Sequence, residues 1–246
     1  MSSFTRNTEY GPITIDFEKY GEYGEPVFLI HGGGMEKKAW HFQIDPFIKA
    51  GFTVFAYDVR GFGNSTKPEF QDNEKLGLDF YSYKNDVSDF TALMDFVDVR
   101  AGHIVGHSMG GVIAQAVCIS YSHRVLSATI ANSISFSNAL LTSTGKTLEK
   151  LKNNDKWCHY NKIKVGMAPE TERLLKRVCE IKNPVLLIGG SKDTKSPPAC
   201  QEYTKSMVPH AEMTIFQGIG HMSIVKAADL FNKTVILFLL KHAMTK

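Results

Sequence analysis

The residues of this chain best suited to do chemistry are Ser108, Asp193 and His221, met in that order along the sequence. A serine hydroxyl becomes a useful nucleophile when a base within hydrogen-bond reach takes its proton and a third group orients that base. Ser108 stands in Gly106-His107-Ser108-Met109-Gly110, a GxSxG pattern between the apolar run HIVGH and the apolar series GVIAQA. Small residues on either side suit a chain that turns sharply from strand to helix and thrusts a hydroxyl out of a sheet. A serine at such a place also has a plain structural use, as the cap of a helix. Asp193 follows the run PVLLIGG, and His221 follows TIFQGIG. Asp193 could instead cap a helix beginning near Pro197 or Pro198, and His221 could be a satisfied core histidine. The joint order, Ser then Asp then His, favours a catalytic triad over three unrelated structural residues.

Attack on a carbonyl creates an oxyanion, which needs preorganised N–H donors. The stretch FLIHGGGMEKKAW sets His31, Gly32, Gly33 and Gly34 directly after an apolar run, where backbone without side chains can approach a substrate. The expected donors are the N–H of Gly33 and that of Met109, the residue after the nucleophile. A phosphate loop is the competing reading of these glycines, but no GK[ST] follows and no GxGxxG opens a helix. His31 is expected to anchor its loop, and His107 to pack beside the turn that carries Ser108.

Positioning these groups at one place requires a parallel sheet, because ligands and catalytic groups gather at the carboxyl ends of its strands. Short β-branched or aromatic runs do alternate with longer amphipathic stretches, the pattern of a mostly parallel sheet with helices on both faces. Candidate strands are ITIDFEKYG, PVFLIHG, TVFAYDV, HIVGH, SATIANS, PVLLIGG and EMTIFQG, with Phe4 to Thr8 as a hairpin partner across the turn YGP. Helices are expected around Leu78 to Val97, Met109 to Ser122, Pro198 to Met207 and Ile224 to His242. In the last, Val225, Leu230, Val235, Phe238 and Leu239 recur near the helical period and define a core face. Between SATIANS and PVLLIGG the interval is too long for one crossover, so residues 137–183 read as a helical insertion over one end of the sheet. Residues 1–136 and 184–246 then form a single core domain.

A hydrophobic fraction of 43% and a charged fraction of 22% over 246 residues fit one globular domain with a substantial core. With 28 basic and 25 acidic residues, no strong field draws the molecule to nucleic acid or an anionic membrane. Cys118, Cys158, Cys179 and Cys200 are widely spaced, with neither zinc-site pairing nor the density of a disulfide scaffold, and read as reduced and mostly structural. VILFLL at Val235 to Leu240 is too short to span a bilayer, and the first residues lack the apolar core of a signal peptide, so a cytoplasmic protein is expected.

Taken together, HGGG at His31, DVRGFGNS at Asp58 to Ser65, GHSMGG at Gly106 to Gly111, GSKD at Gly190 to Asp193 and GIGH at Gly218 to His221 resemble the α/β-hydrolase superfamily over nearly the full length. The resemblance implies an eight-stranded sheet, a Ser-His-Asp mechanism that calls for no cofactor or metal, and a lid between strands six and seven. Residues 137–183 would be that lid, shorter than the four-helix lid common in related enzymes. Gly34, Trp157, His159, Tyr160 and Met167 are the candidate substrate-binding positions. In the family, the turn Asp58-Val59-Arg60-Gly61 is structural, so Asp58 and Arg60 stay outside the catalytic set. GHSMGG is typical of carboxylesterases, lipases and small lactonases and is shared with carbon–carbon bond hydrolases. A serine at 108 argues against the haloalkane dehalogenase and epoxide hydrolase branches, whose nucleophile is an aspartate. The expectation is a serine hydrolase, monomeric or homodimeric, that cleaves small to medium carboxylic esters. The alternatives are a lactonase or carbon–carbon bond hydrolase with the same triad, and a small-ligand receptor that keeps a residual triad.

Overall fold

A computed structural model of the chain describes residues 2–67, 79–134 and 169–244. In chain order, β1 (Ser2–Thr8), β2 (Gly11–Tyr20) and β3 (Glu25–Ile30) lead to α1 (His41–Lys49), β4 (Phe52–Tyr57) and α2 (Tyr83–Phe96). Next come β5 (Gly102–His107), α3 (Met109–Ser120), β6 (Val125–Ala131), α4 (Pro169–Lys176) and β7 (Val185–Gly190). The chain closes with α5 (Pro198–Met207), β8 (Glu212–Phe216), α6 (Ser223–Lys226) and α7 (Ala228–Lys241). The strands form one eight-stranded sheet in the order β1-β2-β4-β3-β5-β6-β7-β8. β1, β2 and β4 pair antiparallel, and every pairing from β4 through β3 to β8 is parallel. The mostly parallel eight-stranded sheet expected from the sequence is therefore present, with the N-terminal hairpin turning at Glu9 and Tyr10, between the paired Thr8 and Gly11.

Strands covered on both faces must be apolar throughout, and β4, β5 and β7 are buried at every residue. Along β3 successive side chains alternate between two cores: Phe28 and Ile30 face α2 and α3, whereas Val27 and Leu29 face α1 and α7. α3 is buried from Met109 to Cys118, lying on β5 and β6 beneath α2 and α4. Its opening Gly110-Gly111 is poor helix-forming sequence, so packing rather than propensity holds this helix in place.

Two features differ from the expectation. The helix expected over Ile224 to His242 breaks at Ala227 (φ −137°, ψ 39°) into α6 and α7. Within α7 Leu230 is 49% exposed, because it lies off the face on which Phe231, Val235, Phe238 and Leu239 recur at helical spacing and enter the core. Helix α1 was not anticipated, because Pro46 interrupts its pattern; Trp40 and Phe47 nevertheless bury against the sheet and anchor it. Of the expected insertion, residues 137–168 lie outside the described residues. Its last part carries α4, and Leu175, Val178 and Ile181 pack into the core shared with α3. Among the described residues no helix is long and apolar enough to cross a membrane. Cys118 and Cys200 are buried free thiols and Cys179 is exposed, while Cys158 is outside the described residues.

Candidate active site

Ser108 sits between the end of β5 and the start of α3 with φ 53° and ψ −115°, a conformation that L-residues adopt at a cost of about 1–3 kcal/mol. Its neighbours hold it there. The Ser108 N–H donates to the Ala131 carbonyl at 2.8 Å, and the Ser108 carbonyl accepts the Ser133 hydroxyl at 2.7 Å and the Gly111 N–H at 2.9 Å. The glycines of the motif are required by space: a Cβ on Gly106 would lie 2.2 Å from the Gly110 carbonyl oxygen, and one on Gly110 would lie 2.0 Å from the Ile30 carbonyl oxygen. Ser108 is the N-terminal flanking residue of α3, yet its hydroxyl makes no capping hydrogen bond. That hydroxyl lies instead 3.0 Å from His221 Nε2.

The loops after β7 and β8 supply the other two members. Asp193 follows β7 by three residues and His221 follows β8 by five. Lys192 N–H donates to the Ile219 carbonyl at 2.8 Å and so fastens one loop to the other. His221 Nδ1 lies 2.9 Å from Asp193 Oδ2 and 3.1 Å from Oδ1. The Asp193 side chain is fully buried, and Oδ1 accepts the N–H groups of Lys195 and Ser196 at 2.9 and 3.0 Å. Burial alone would raise its pKa; the hydrogen bond and charge of His221, with the donors Ser196 and Asn132, outweigh it and hold the carboxyl below the usual range. The alternative expected for Asp193, capping the helix near Pro198, is not what the structure has: Pro197 flanks that helix without a side-chain cap, and Asp193 Oδ1 instead closes the turn at Lys195 and Ser196.

The glycine loop after β3 borders the serine. A Cβ on Gly32 would come within 2.9 Å of His107 Nδ1 and 3.3 Å of Ser108 Cβ. The Met35 N–H closes the turn onto the Gly32 carbonyl at 3.1 Å, and Gly34 has φ 74°. Met109 opens α3, where the first N–H groups of a helix have no intrahelical partner. His31 is the anchor expected of it: Nδ1–H donates to the Gly32 carbonyl at 2.8 Å, and Nε2 accepts the Val59 N–H at 3.0 Å. Asp58 accepts the Lys37 N–H at 2.7 Å, and with Asp16 it flanks the buried Lys37 ammonium, tying the far end of the glycine loop to β4. Arg60 pairs with Asp89 through Nε at 2.6 Å and Nη2 at 2.7 Å, away from Ser108 and its partners. Trp157, His159, Tyr160 and Met167 lie outside the described residues.

Several contributors were missed in the sequence. Asn132 Nδ2 donates to Asp193 Oδ2 at 2.9 Å, and the Ser223 hydroxyl donates to Asn132 Oδ1. His107 does more than pack: its Nε2–H donates to the His221 carbonyl at 2.8 Å, holding the histidine loop to the turn that carries Ser108. Burial, then the charge of His221, push the His107 pKa down to about 3, so its ring is neutral at physiological pH.

A family profile described as alpha/beta hydrolase fold matches residues 25–160, more than half of the chain, and the chain belongs to that family. It is 25% identical over 255 residues to a dihydrolipoyllysine-residue acetyltransferase component of the acetoin cleaving system of Cupriavidus necator, covering 89% of this chain. This chain spans 65% of that relative's length and 66% of its namesake in Pseudomonas putida. Lipase 3 of Moraxella sp. is 26% identical, with 83% of this chain and 74% of the lipase covered. Among solved structures, a thermophilic esterase from Thermogutta terrifontis superimposes with a TM-score of 0.81 at 18% identity, covering 99% of this chain and all of the esterase.

Proposed function

We propose that this protein is a serine hydrolase that cleaves small to medium carboxylic esters through an acyl-enzyme. The observation that carries the reading is the continuous chain from Asp193 Oδ2 through His221 to the Ser108 hydroxyl, with contacts of 2.9 and 3.0 Å. These separations allow direct proton transfer from the hydroxyl to Nε2. As Ser108 Oγ bonds to the ester carbonyl carbon, His221 takes its proton, and Asp193 holds Nδ1–H and stabilises the imidazolium. The Gly33 and Met109 N–H groups receive the oxyanion, a contribution that mutagenesis elsewhere values at about 2.7–4 kcal/mol per donor. His221 then protonates the departing alcohol, takes a proton from water and directs it onto the acyl-enzyme, so that the acid leaves and Ser108 is restored. The family membership and the lipase and esterase relatives support this chemistry. Gly34, Trp157, His159, Tyr160 and Met167 are our candidates for the pocket that selects the acyl group.

A fluorophosphonate probe tests the assignment, since it phosphonylates an activated serine. The expected result is one adduct, mapped to Ser108 by peptide mass spectrometry, together with turnover of p-nitrophenyl acetate. Absence of an adduct on Ser108 in the folded protein would refute the proposal. A panel of simple esters, lactones and vinylogous diketones then separates esterase from lactonase and carbon–carbon bond hydrolase, and labelling with negligible turnover of all three would indicate a receptor.

A further inference from the structure

The loops that carry Asp193 and His221 meet on one side chain. Asn132, the residue after β6, is fully buried with φ 47°, a left-handed conformation that asparagine tolerates better than most residues. Its Nδ2 donates to Asp193 Oδ2 at 2.9 Å and also lies 3.4 Å from the Gly220 carbonyl, while Oδ1 accepts the Ser223 hydroxyl. Its carbonyl accepts the Ser196 hydroxyl and its N–H donates to the Ile188 carbonyl, both at 2.7 Å. An ionised carboxylate only accepts, so the end facing Asp193 must be the amide nitrogen, and Ser223 then donates to the amide oxygen. The acid loop, the histidine loop and the end of β6 are joined through this one residue.

We propose that Asn132 is a positioning residue of the triad: its amide fixes the Asp193 carboxylate in line with His221 and, by sharing the charge on Oδ2, limits how strongly that carboxylate favours the protonated imidazole. The inference rests on the serine-hydrolase reading above. Asp193 Oδ2 receives two donors, Asn132 Nδ2–H and His221 Nδ1–H. Withdrawing the first leaves more charge for the second, so the protonated base is favoured and a higher pH is needed to free it. The same loss lets the carboxylate rotate and slows the reaction at every pH. Only the first effect moves the acidic limb of the rate profile. Among the described residues, the other titratable or charged groups coupled to this site are the neutral His107, Lys195 and the Cys200 thiol, which burial and then the charge of Asp193 push up to about 11. No hydrogen bond joins the side chain of any of these to the Asn132 amide among the described residues.

Asn132→Gly removes the amide at a φ that glycine accepts freely. With p-nitrophenyl acetate as substrate, kcat should fall about 10–100-fold with little change in KM, the scale seen when a group that orients an active-site ligand is lost. The acidic limb of kcat/KM should move up by about 0.5–1 pH unit, as for loss of one charge-assisted hydrogen bond. Ser223→Ala leaves the amide present but unlatched and should move the limb less, in the same direction; it carries the test if Asn132→Gly does not fold. An unmoved or lowered limb in a folded variant still labelled at Ser108 overturns the proposal, as does a loss of activity expressed in KM alone. Failure of the parent protein to label at Ser108 would instead overturn the hydrolase reading, so the two failures are distinguishable.

Discussion

Acid should destabilise this fold in part through one residue, His107. Its ring is fully buried, with Nε2–H on the His221 carbonyl and Nδ1 without a partner among the described residues. Burial and the charge of His221 depress its pKa from 6.5 to about 3. Between those values the unfolded chain binds a proton that the folded chain does not, so stability present above pH 6.5 is lost as pH falls toward 3. Each pH unit in that window is worth about 1.4 kcal/mol, and at pH 5 the loss from this group alone is about 2 kcal/mol. His107→Gln removes the titration and keeps an amide donor for the His221 carbonyl. Urea unfolding of both proteins at pH 7.5 and pH 5 is the assay. The variant should be less stable at pH 7.5, having lost ring packing, but the parent should lose about 2 kcal/mol more than the variant between the two pH values. The buried His103, also depressed by burial, is common to both proteins and cancels in the difference. Equal losses in parent and variant would refute the argument that His107 is held neutral.

Two further outcomes follow from the geometry. Asp193→Asn should lower kcat by about 10⁴ while the protein stays folded, because an amide no longer holds the histidine in the working tautomer; steady-state kinetics with circular dichroism checks this, and parent-like kcat would contradict it. Gly110→Ala would press a methyl to 2.0 Å from the Ile30 carbonyl oxygen and 2.8 Å from that of His31, both rigid backbone. The expected cost is on the order of 3 kcal/mol, read as a fall in Tm of roughly 6–12 °C, and an unchanged Tm would show that the close approach is not required.

The triad and the sheet were legible in the sequence because each signal is local. Ser108, Asp193 and His221 each trail a strand-like run, and a parallel sheet brings the ends of such runs to one edge. The contacts that refine the site are not local. Asn132 lies 61 residues from Asp193, and His107 lies 114 residues from the carbonyl it holds. The only sequence trace of Asn132 is an asparagine immediately after a buried strand, where a left-handed turn is cheap for that residue type. Leu230 was misplaced for a physical reason as well: it precedes Val235 and Leu239 by spacings that do not match the helical period, and Phe231 is the residue that shares their face. The burial of Lys37 had no sequence signal either, because the two carboxylates that make it tolerable, Asp16 and Asp58, converge only in the fold.

The central claim is that the Ser108 hydroxyl is the nucleophile. Steady-state hydrolysis of p-nitrophenyl acetate by Ser108→Ala measures it most directly. The account predicts a fall in kcat on the order of 10⁴–10⁶, with the variant folded and no longer labelled by fluorophosphonate. A folded Ser108→Ala protein that hydrolyses the ester at near the parent rate would contradict it.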